Sequence, residues 1–187
     1  MSIDTLETER LRLRPLTLND VDAYYSIITS DADVMRYLPG GGKARLRSDS
    51  EWVLGYFMQH VALHGFGIWA VEEKQSSTLL GHAGLEYIPG ADAVEVAYTL
   101  AKAAWGKGYA TEAARASLKY GFEALNLREI YGLSFPANAA SQRVMQKLGM
   151  KLEGTTDRFY NAELTCYKLT REDYFAVSRL PHAEETP

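Results

Sequence analysis

The chain switches repeatedly between two spacings of apolar residues. Residues 10–14 read Arg-Leu-Arg-Leu-Arg, and this alternation predicts a half-buried strand. Leu18-Asn19-Asp20 then caps a helix running to about Ser30, with a short helix over 32–37 after it. Ser48 and Glu51 have the spacing of a capping box for a helix that reaches His64 and is closed by Gly65. Apolar runs at 67–73 and 79–88 predict two strands around the polar turn 74–78. Pro89-Gly90-Ala91-Asp92 is a turn before a buried strand over 93–100. Beyond it the period becomes helical. Ala110, Ala113, Ala114, Ser117, Leu118, Gly121, Phe122 and Leu125 fall on one face. A strand over 128–135 follows, then a helix with Asn138 as N-cap and Gly149 as C′ residue. Strands near 151–159 and 164–169 pair, and Thr170 caps a last short helix. Helices segregated among mostly antiparallel strands make an α+β class.

The unit strand–glycine loop–helix around residue 106 carries the clearest chemistry. Trp105-Gly106-Lys107-Gly108-Tyr109-Ala110-Thr111-Glu112-Ala113 leads straight into the helix. Amides at a helix N-terminus lack intrahelical partners, and the dipole adds partial positive charge, so such a loop is suited to an anion such as a phosphate. A Walker loop is excluded: Lys107 is followed by Gly108, and Ala101 stands where its first glycine belongs. The dinucleotide fingerprint matches Gly106 and Gly108 but meets Thr111 at its third glycine position, far from a first strand–helix unit. The pattern x-x-x-Gly-x-Gly/Ala, a pyrophosphate loop, is satisfied by Gly106, Gly108 and Ala110.

Further motifs give that short pattern its specificity. They are Glu7-Thr8-Glu9-Arg10-Leu11-Arg12-Leu13-Arg14-Pro15, Glu95-Val96-Ala97-Tyr98, the Asn-x-x-Ser of Asn138 and Ser141, and Lys147-Leu148-Gly149-Met150. With these in order, the chain resembles the GCN5-related N-acetyltransferases (GNAT), in the branch of RimJ/RimL-type ribosomal-protein N-terminal acetyltransferases. The resemblance covers about residues 8–178. It implies one domain over 1–187 with 181–187 as a tail, and a mixed, mostly antiparallel twisted sheet flanked by helices. Two central strands of that sheet splay apart around acetyl-CoA, the cosubstrate, whose acetyl group passes directly to an amine.

The resemblance also assigns roles. The amides of Gly106, Lys107, Gly108, Tyr109, Ala110 and Thr111 are expected to hold the CoA pyrophosphate. The backbone of Tyr98 and Leu100 is expected to line the pantetheine arm, with an amide near them polarising the acetyl carbonyl. Many members use a tyrosine to protonate the leaving thiolate; Met145 occupies that place here, which departs from the broad family. In the RimJ/RimL-like branch Asn138 and Ser141 stand in, Asn138 against pantetheine and the Ser141 hydroxyl toward the sulfur. Helix capping is an alternative use of Asn138.

Acetyl transfer needs a neutral amine, whereas an alkyl ammonium titrates near ~10 and an α-amine near ~8. A base is therefore required. Glu95, an acid in an otherwise apolar strand, is the leading candidate, with Glu86 and His82 as alternatives. Strand alternation sets Glu95, Ala97 and Thr99 opposite Val94, Val96, Tyr98 and Leu100, which favours a solvated Glu95 unless a bulge intervenes. Phe159 and Tyr160 lie where the family places a strand near the acceptor. His60 and His64 sit four apart on a helix but find no third metal ligand nearby, so no metal is expected. Trp52, Trp69, Tyr24 and Tyr25 read as core. Segment 39–47, with Lys43, Arg45 and Arg47, reads as a solvated loop.

Bulk properties narrow the setting. The 187 residues are 47% hydrophobic and 24% charged, with net charge −4, which argues against broad nucleic-acid binding. The single cysteine, Cys166, cannot form an internal disulfide and fits a reducing compartment. No secretion signal or membrane span is visible, so a cytoplasmic location is expected. The acceptor stays open between a protein N-terminal α-amine and a small-molecule amine, a homodimer is possible, and a non-catalytic acyl-CoA-binding or sensing module is the competing function.

Overall fold

A computed structural model describes residues 3–38, 41, 43 and 45–178. One eight-stranded sheet runs in the order β1-β2-β3-β4-β5-β6-β8-β7. The strands are β1 (Leu6–Glu7), β2 (Leu11–Pro15), β3 (Ile68–Glu73), β4 (Thr78–Tyr87), β5 (Val94–Leu100), β6 (Glu129–Ser134), β7 (Lys151–Thr156) and β8 (Leu164–Thr170). Pairing is antiparallel throughout except between β5 and β6. Those two strands are joined by the crossover that carries the glycine loop, and their ladder contains a single pair, Glu95 with Tyr131. From that point β5 and β6 part, and among the described residues no strand pairs with β5 residues 97–100 on their β6 side.

Both faces of the sheet are covered. Helices α4 (Tyr109–Lys119) and α5 (Ala139–Lys147) pack one face. There Val94, Val96, Ala114, Leu118, Phe122, Ile130 and Met145 share a core. On the other face lie α1 (Val21–Tyr24), flanked by a 3₁₀ turn Leu18–Asp20 and a π turn Tyr25–Thr29, with α2 (Ala32–Met35) and α3 (Arg47–His64). Tyr24, Ile28, Leu54, Phe57, Ile68 and Ala70 form that second core. The last helix, α6 (Arg171–Ser178), follows β8.

Local signals account for most boundaries. Gly65 closes α3 in the left-handed region at φ 75°. Asn138 Oδ1 accepts the Ser141 amide at 3.1 Å, and Gly149 N–H to Gln146 O with Met150 N–H to Met145 O completes a Schellman ending. Thr170 Oγ1 accepts the Asp173 amide at 3.2 Å to start α6. Two caps differ from expectation. At α3 the carboxylate of Asp49 accepts the Leu46 amide at 2.8 Å, so the box begins two residues before Ser48 and Glu51. Arg47 reaches Asp22 at 2.5 Å, tying that first turn to α1. The first helical segment is capped by Thr17, whose amide donates to Asp20 Oδ2 at 2.9 Å, not by 18–20 themselves.

Trp69 and Tyr24 are core as expected. Trp52 is a correction: it is 71% exposed and stacks on Tyr56 at 5.8 Å, because its position on α3 turns away from the sheet. Within segment 39–47, residues 39, 40, 42 and 44 lie outside the described residues, as does the tail 181–187.

Candidate active site

The glycine loop and the splayed strands face one cleft. Gly106 has φ +74° and Gly108 φ +83°, both left-handed. A Cβ built on Gly106 would meet nothing within 4 Å, so bare backbone borders open space there. Gly108 is the N-cap of α4, and its carbonyl accepts the Glu112 amide at 3.0 Å. The first amides of α4, which begins at Tyr109, have no acceptor within the helix. A row of such donors at a helix N-terminus, beside open space, fits a diphosphate. Ala113 and Ala114 are fully buried, so α4 sits close on the sheet and holds that row in place.

The cleft measures about 550 Å³. Tyr98, Thr99 and Leu100 form one wall, the loop its end, and Asn138, Ser141 and Val144 of the α5 region the other wall. Arg36, Arg143 and Lys147 also line it, which suits an anionic ligand. All the expected cofactor residues except Lys107 and Tyr109 line this cleft; those two belong to the same loop. The Tyr109 side chain turns away and bonds Glu73. Trp105 spans the loop's entrance, donating its indole N–H to Leu100 O at 2.8 Å.

Tyr98 matters through its side chain as well, which the sequence does not reveal. Its hydroxyl lies 3.0 Å from Ser141 Oγ. Burial pushes the Tyr98 phenol up to about 12, with the Ser141 bond acting the other way. It therefore stays protonated at neutral pH, with two acceptors in reach of its one proton, the Ser141 carbonyl at 3.1 Å and Ser141 Oγ. Asn138 spends its side-chain carbonyl on the cap, leaving its amide NH₂ for other use. Met145, where many relatives of the expected family carry tyrosine, is buried in the core.

On the opposite face the acids gather. Glu95 is only 8% exposed, which corrects the solvated reading: helices α1 to α3 cover the face that alternation alone would leave wet. Glu95 stands at the β5–β6 pair where the strands part. Its cross-strand neighbour is Glu86. Tyr160 donates to Glu95 Oε1, and Tyr56 donates to Glu86 Oε1 at 2.5 Å. Burial raises the Glu95 carboxyl to about 7, the Tyr160 bond opposes this, and the Glu86 charge adds to it. Burial also raises Glu86. A desolvated carboxylate near 7 has the affinity for protons that a general base needs.

His82 is a weaker candidate. It is 6% exposed, its Nδ1 is 3.0 Å from the Tyr24 hydroxyl, and burial lowers it to about 4. His60 uses both ring nitrogens, Nδ1 against Phe66 O at 3.0 Å and Nε2 accepting the Tyr87 amide at 3.1 Å, which leaves no lone pair for a metal. Among the described residues no group of three or more His, Cys, Asp or Glu is placed to hold a metal, and no helix is long and apolar enough to cross a membrane.

Known proteins resemble this chain in sequence and fold. The acetyltransferase (GNAT) domain matches residues 10–151. An uncharacterised Bacillus subtilis protein, YkkB, is 34% identical over 87% of this chain and 94% of its own length. The B. subtilis protein YnaD, named an uncharacterised N-acetyltransferase, is 33% identical over 80% of this chain and 84% of its own. A GNAT-family acetyltransferase structure from Bacillus anthracis superposes with a TM-score of 0.77 at 30% identity, covering 90% and 99% of the two chains. The fold is also that of RimL, a ribosomal L7/L12 α-N-protein acetyltransferase solved with coenzyme A, with a TM-score of 0.76 at 14% identity over 91% and 99% of the chains. The chain belongs to the acetyltransferase (GNAT) family, and its chemistry is acetyl-CoA-dependent N-acetyl transfer.

Proposed function

We propose that residues 8–178 work as one catalytic unit that acetylates a primary amine, with Glu95 as general base. The observation that carries this reading is the position of Glu95: a buried carboxyl at the point where β5 and β6 separate.

When bound, acetyl-CoA supplies an activated thioester carbonyl. The amides of residues 106–111 hold its diphosphate, and the α4 dipole adds to their pull. The free edge of β5 at Tyr98 and Leu100 offers backbone groups to the pantetheine arm and to the developing oxyanion. The Asn138 NH₂ contacts the same arm. On the acceptor side Glu95 takes the proton from the ammonium, so that a neutral nitrogen attacks the carbonyl carbon. As the C–N bond forms and the C–S bond breaks, the nitrogen gives up its second proton, which ends on the departing thiolate as the CoA thiol, with the Ser141 hydroxyl beside Tyr98 as hydrogen-bond donor to the sulfur. Glu86 next to Glu95 disfavours a second negative charge and keeps the proton affinity of the pair high.

The acceptor is a protein N-terminal α-amine or a small-molecule amine. Two carboxyls whose bonded partners among the described residues are phenols favour a cationic amine in either case. The deciding experiment is release of CoA thiol from acetyl-CoA against peptides with varied N-termini, amino acids, polyamines and aminoglycosides. Turnover with one class names the acceptor. Tight CoA binding with no turnover on any amine sinks the catalytic assignment in favour of an acyl-CoA sensor.

A further inference from the structure

The segment Thr8–Arg10, at the sheet edge and a hundred residues upstream of the glycine loop, is bonded into that loop. Arg10 Nη1 donates to Lys107 O at 2.9 Å. Its Nε and Nη2 both reach Glu112 Oε2, at 2.7 and 2.6 Å, and its backbone N–H donates to Glu112 Oε1 at 2.9 Å. Thr8 Oγ1 donates to the same Oε1 at 2.6 Å. The guanidinium also lies 4.5 Å from the Tyr109 ring centroid. The Glu112 carboxylate is thus saturated from outside its own helix.

Two physical consequences bear on the anion site. In a trans peptide the carbonyl and the following N–H point in opposite directions. Holding Lys107 O toward Arg10 therefore turns the Gly108 N–H away from Arg10, and Gly108 is one of the residues lining the cleft. Second, Glu112 lies in the first turn of α4, where its negative charge would repel a bound diphosphate. The guanidinium cancels that charge within hydrogen-bond distance.

We propose that Arg10, assisted by Thr8, is a positioning residue that shapes the 106–111 loop and neutralises Glu112, and so sets affinity for acetyl-CoA without taking part in the chemistry. The proposal rests on the reading that this loop holds the CoA diphosphate. Each of the three guanidinium nitrogens is bonded to Glu112 or Lys107, so the proposal asks for no contact between Arg10 and the ligand.

The test compares Arg10→Ala, Glu112→Gln, the double variant and Gly108→Asp, using CoA and pantetheine as calorimetric probes alongside steady-state kinetics. Arg10→Ala is expected to raise the CoA dissociation constant and the KM for acetyl-CoA about tenfold or more. Pantetheine binding, the KM for the amine and kcat should change less than twofold. Adding Glu112→Gln should recover part of the loss, because the unpaired carboxylate is then gone; Arg10→Lys should fall between wild type and alanine. If Arg10→Ala leaves CoA affinity within twofold while Gly108→Asp abolishes it, the clamp is wrong and the loop assignment stands. If Gly108→Asp itself leaves CoA affinity unchanged, the loop assignment fails. A loss in Arg10→Ala that is matched in pantetheine binding, amine KM and thermal stability would reduce Arg10 to a residue of general structure and overturn the proposal. No recovery in the double variant would point to direct ligand contact by Arg10 and would overturn it as well.

Discussion

Tyr160 donates its phenolic hydrogen to Oε1 of Glu95, joining the β7–β8 connection to the strand where the sheet opens. The turn that delivers it is unusual for its residues. Tyr160 and Asn161 have φ of 58° and 50°, and Ala162 N–H donates back to Phe159 O at 3.3 Å. Left-handed backbone at a non-glycine residue costs on the order of 1 kcal/mol or more. Phe159, only 2% exposed, anchors the turn in a small core with Tyr131, Leu164 and Cys166. Strain kept in place by packing, with its phenol aimed at the proposed base, points to a role in setting that base.

Removing this hydroxyl should therefore move the pH profile. Tyr160 hydrogen-bonds the carboxylate and lowers a proton affinity that burial and Glu86 raise. Tyr56, bonded to Glu86, completes the group facing Glu95. In Tyr160→Phe the Glu95 carboxyl should titrate above its present value of about 7. The acid limb of log kcat/KM against pH would shift upward, with activity falling most at and below neutrality. An unmoved limb would show that Tyr160 does not tune the base.

Glu95→Gln should cost about 10²- to 10⁴-fold in kcat, the usual contribution of a positioned base, and abolish the acid limb near 7. CoA affinity should hold, since Glu95 is not among the residues lining the cofactor cleft. An amine presented at a pH above its own pKa should recover part of the rate. Activity within threefold of wild type at neutral pH would move the base role to Glu86.

The same substitution should stabilise the protein at alkaline pH. The folded carboxyl titrates at about 7 against 4.5 for an ordinary glutamate, so the folded state binds more protons than the unfolded state between those values. Stability contributed by this group therefore falls as pH rises from about 4.5 and levels off above about 7. The penalty at pH 8 is on the order of 3 kcal/mol, and Glu95→Gln should relieve much of it. Urea unfolding at pH 5 and pH 8 checks this: the gain should be large at pH 8 and small at pH 5.

Ser141→Ala and Tyr98→Phe act on the leaving-group side. Both should lower kcat about tenfold while leaving the dissociation constant for CoA within a few-fold, because the hydroxyl pair is needed when charge develops on sulfur. A double variant that loses no more than Ser141→Ala alone would show that the two act as one unit. Equal losses in CoA binding would show instead that the pair only supports the cleft wall.

Gly132→Ala probes the seat of α5. A Cβ there would lie 2.4 Å from Met145 Sδ and 3.1 Å from Met150 Sδ. Both sulfurs belong to flexible side chains, so the core can shift, at about 1–3 kcal/mol. Denaturant unfolding should show a lower midpoint with an unchanged slope; an unchanged midpoint would mean the methionines repack freely.

What the sequence by itself determined is local. The glycine loop, the Asn138 cap, the Gly65 and Gly149 endings and the Thr170 cap depend on residues within a few positions of one another, where backbone geometry and side-chain hydrogen bonds leave little choice. The alternation at 10–14 and the helical face at 110–125 fixed strand and helix for the same reason. Even locally, competing patterns mislead: Leu46 with Asp49 and Ser48 with Glu51 offer the same cap two residues apart, and only the Arg47–Asp22 pair from α1 accompanies the one that forms.

The tertiary structure decided everything that joins distant segments. Alternation identified which residues share a face with Glu95 but could not show that α1 to α3 bury that face, since burial belongs to the layer packed above. The Tyr160–Glu95, Tyr98–Ser141 and Arg10–Glu112 contacts cross 65, 43 and 102 residues of chain. No periodicity connects such partners. The parting of β5 from β6 and the packing of both sheet faces bring them together, and in that setting a glutamate in an apolar strand acquires the proton affinity of a base.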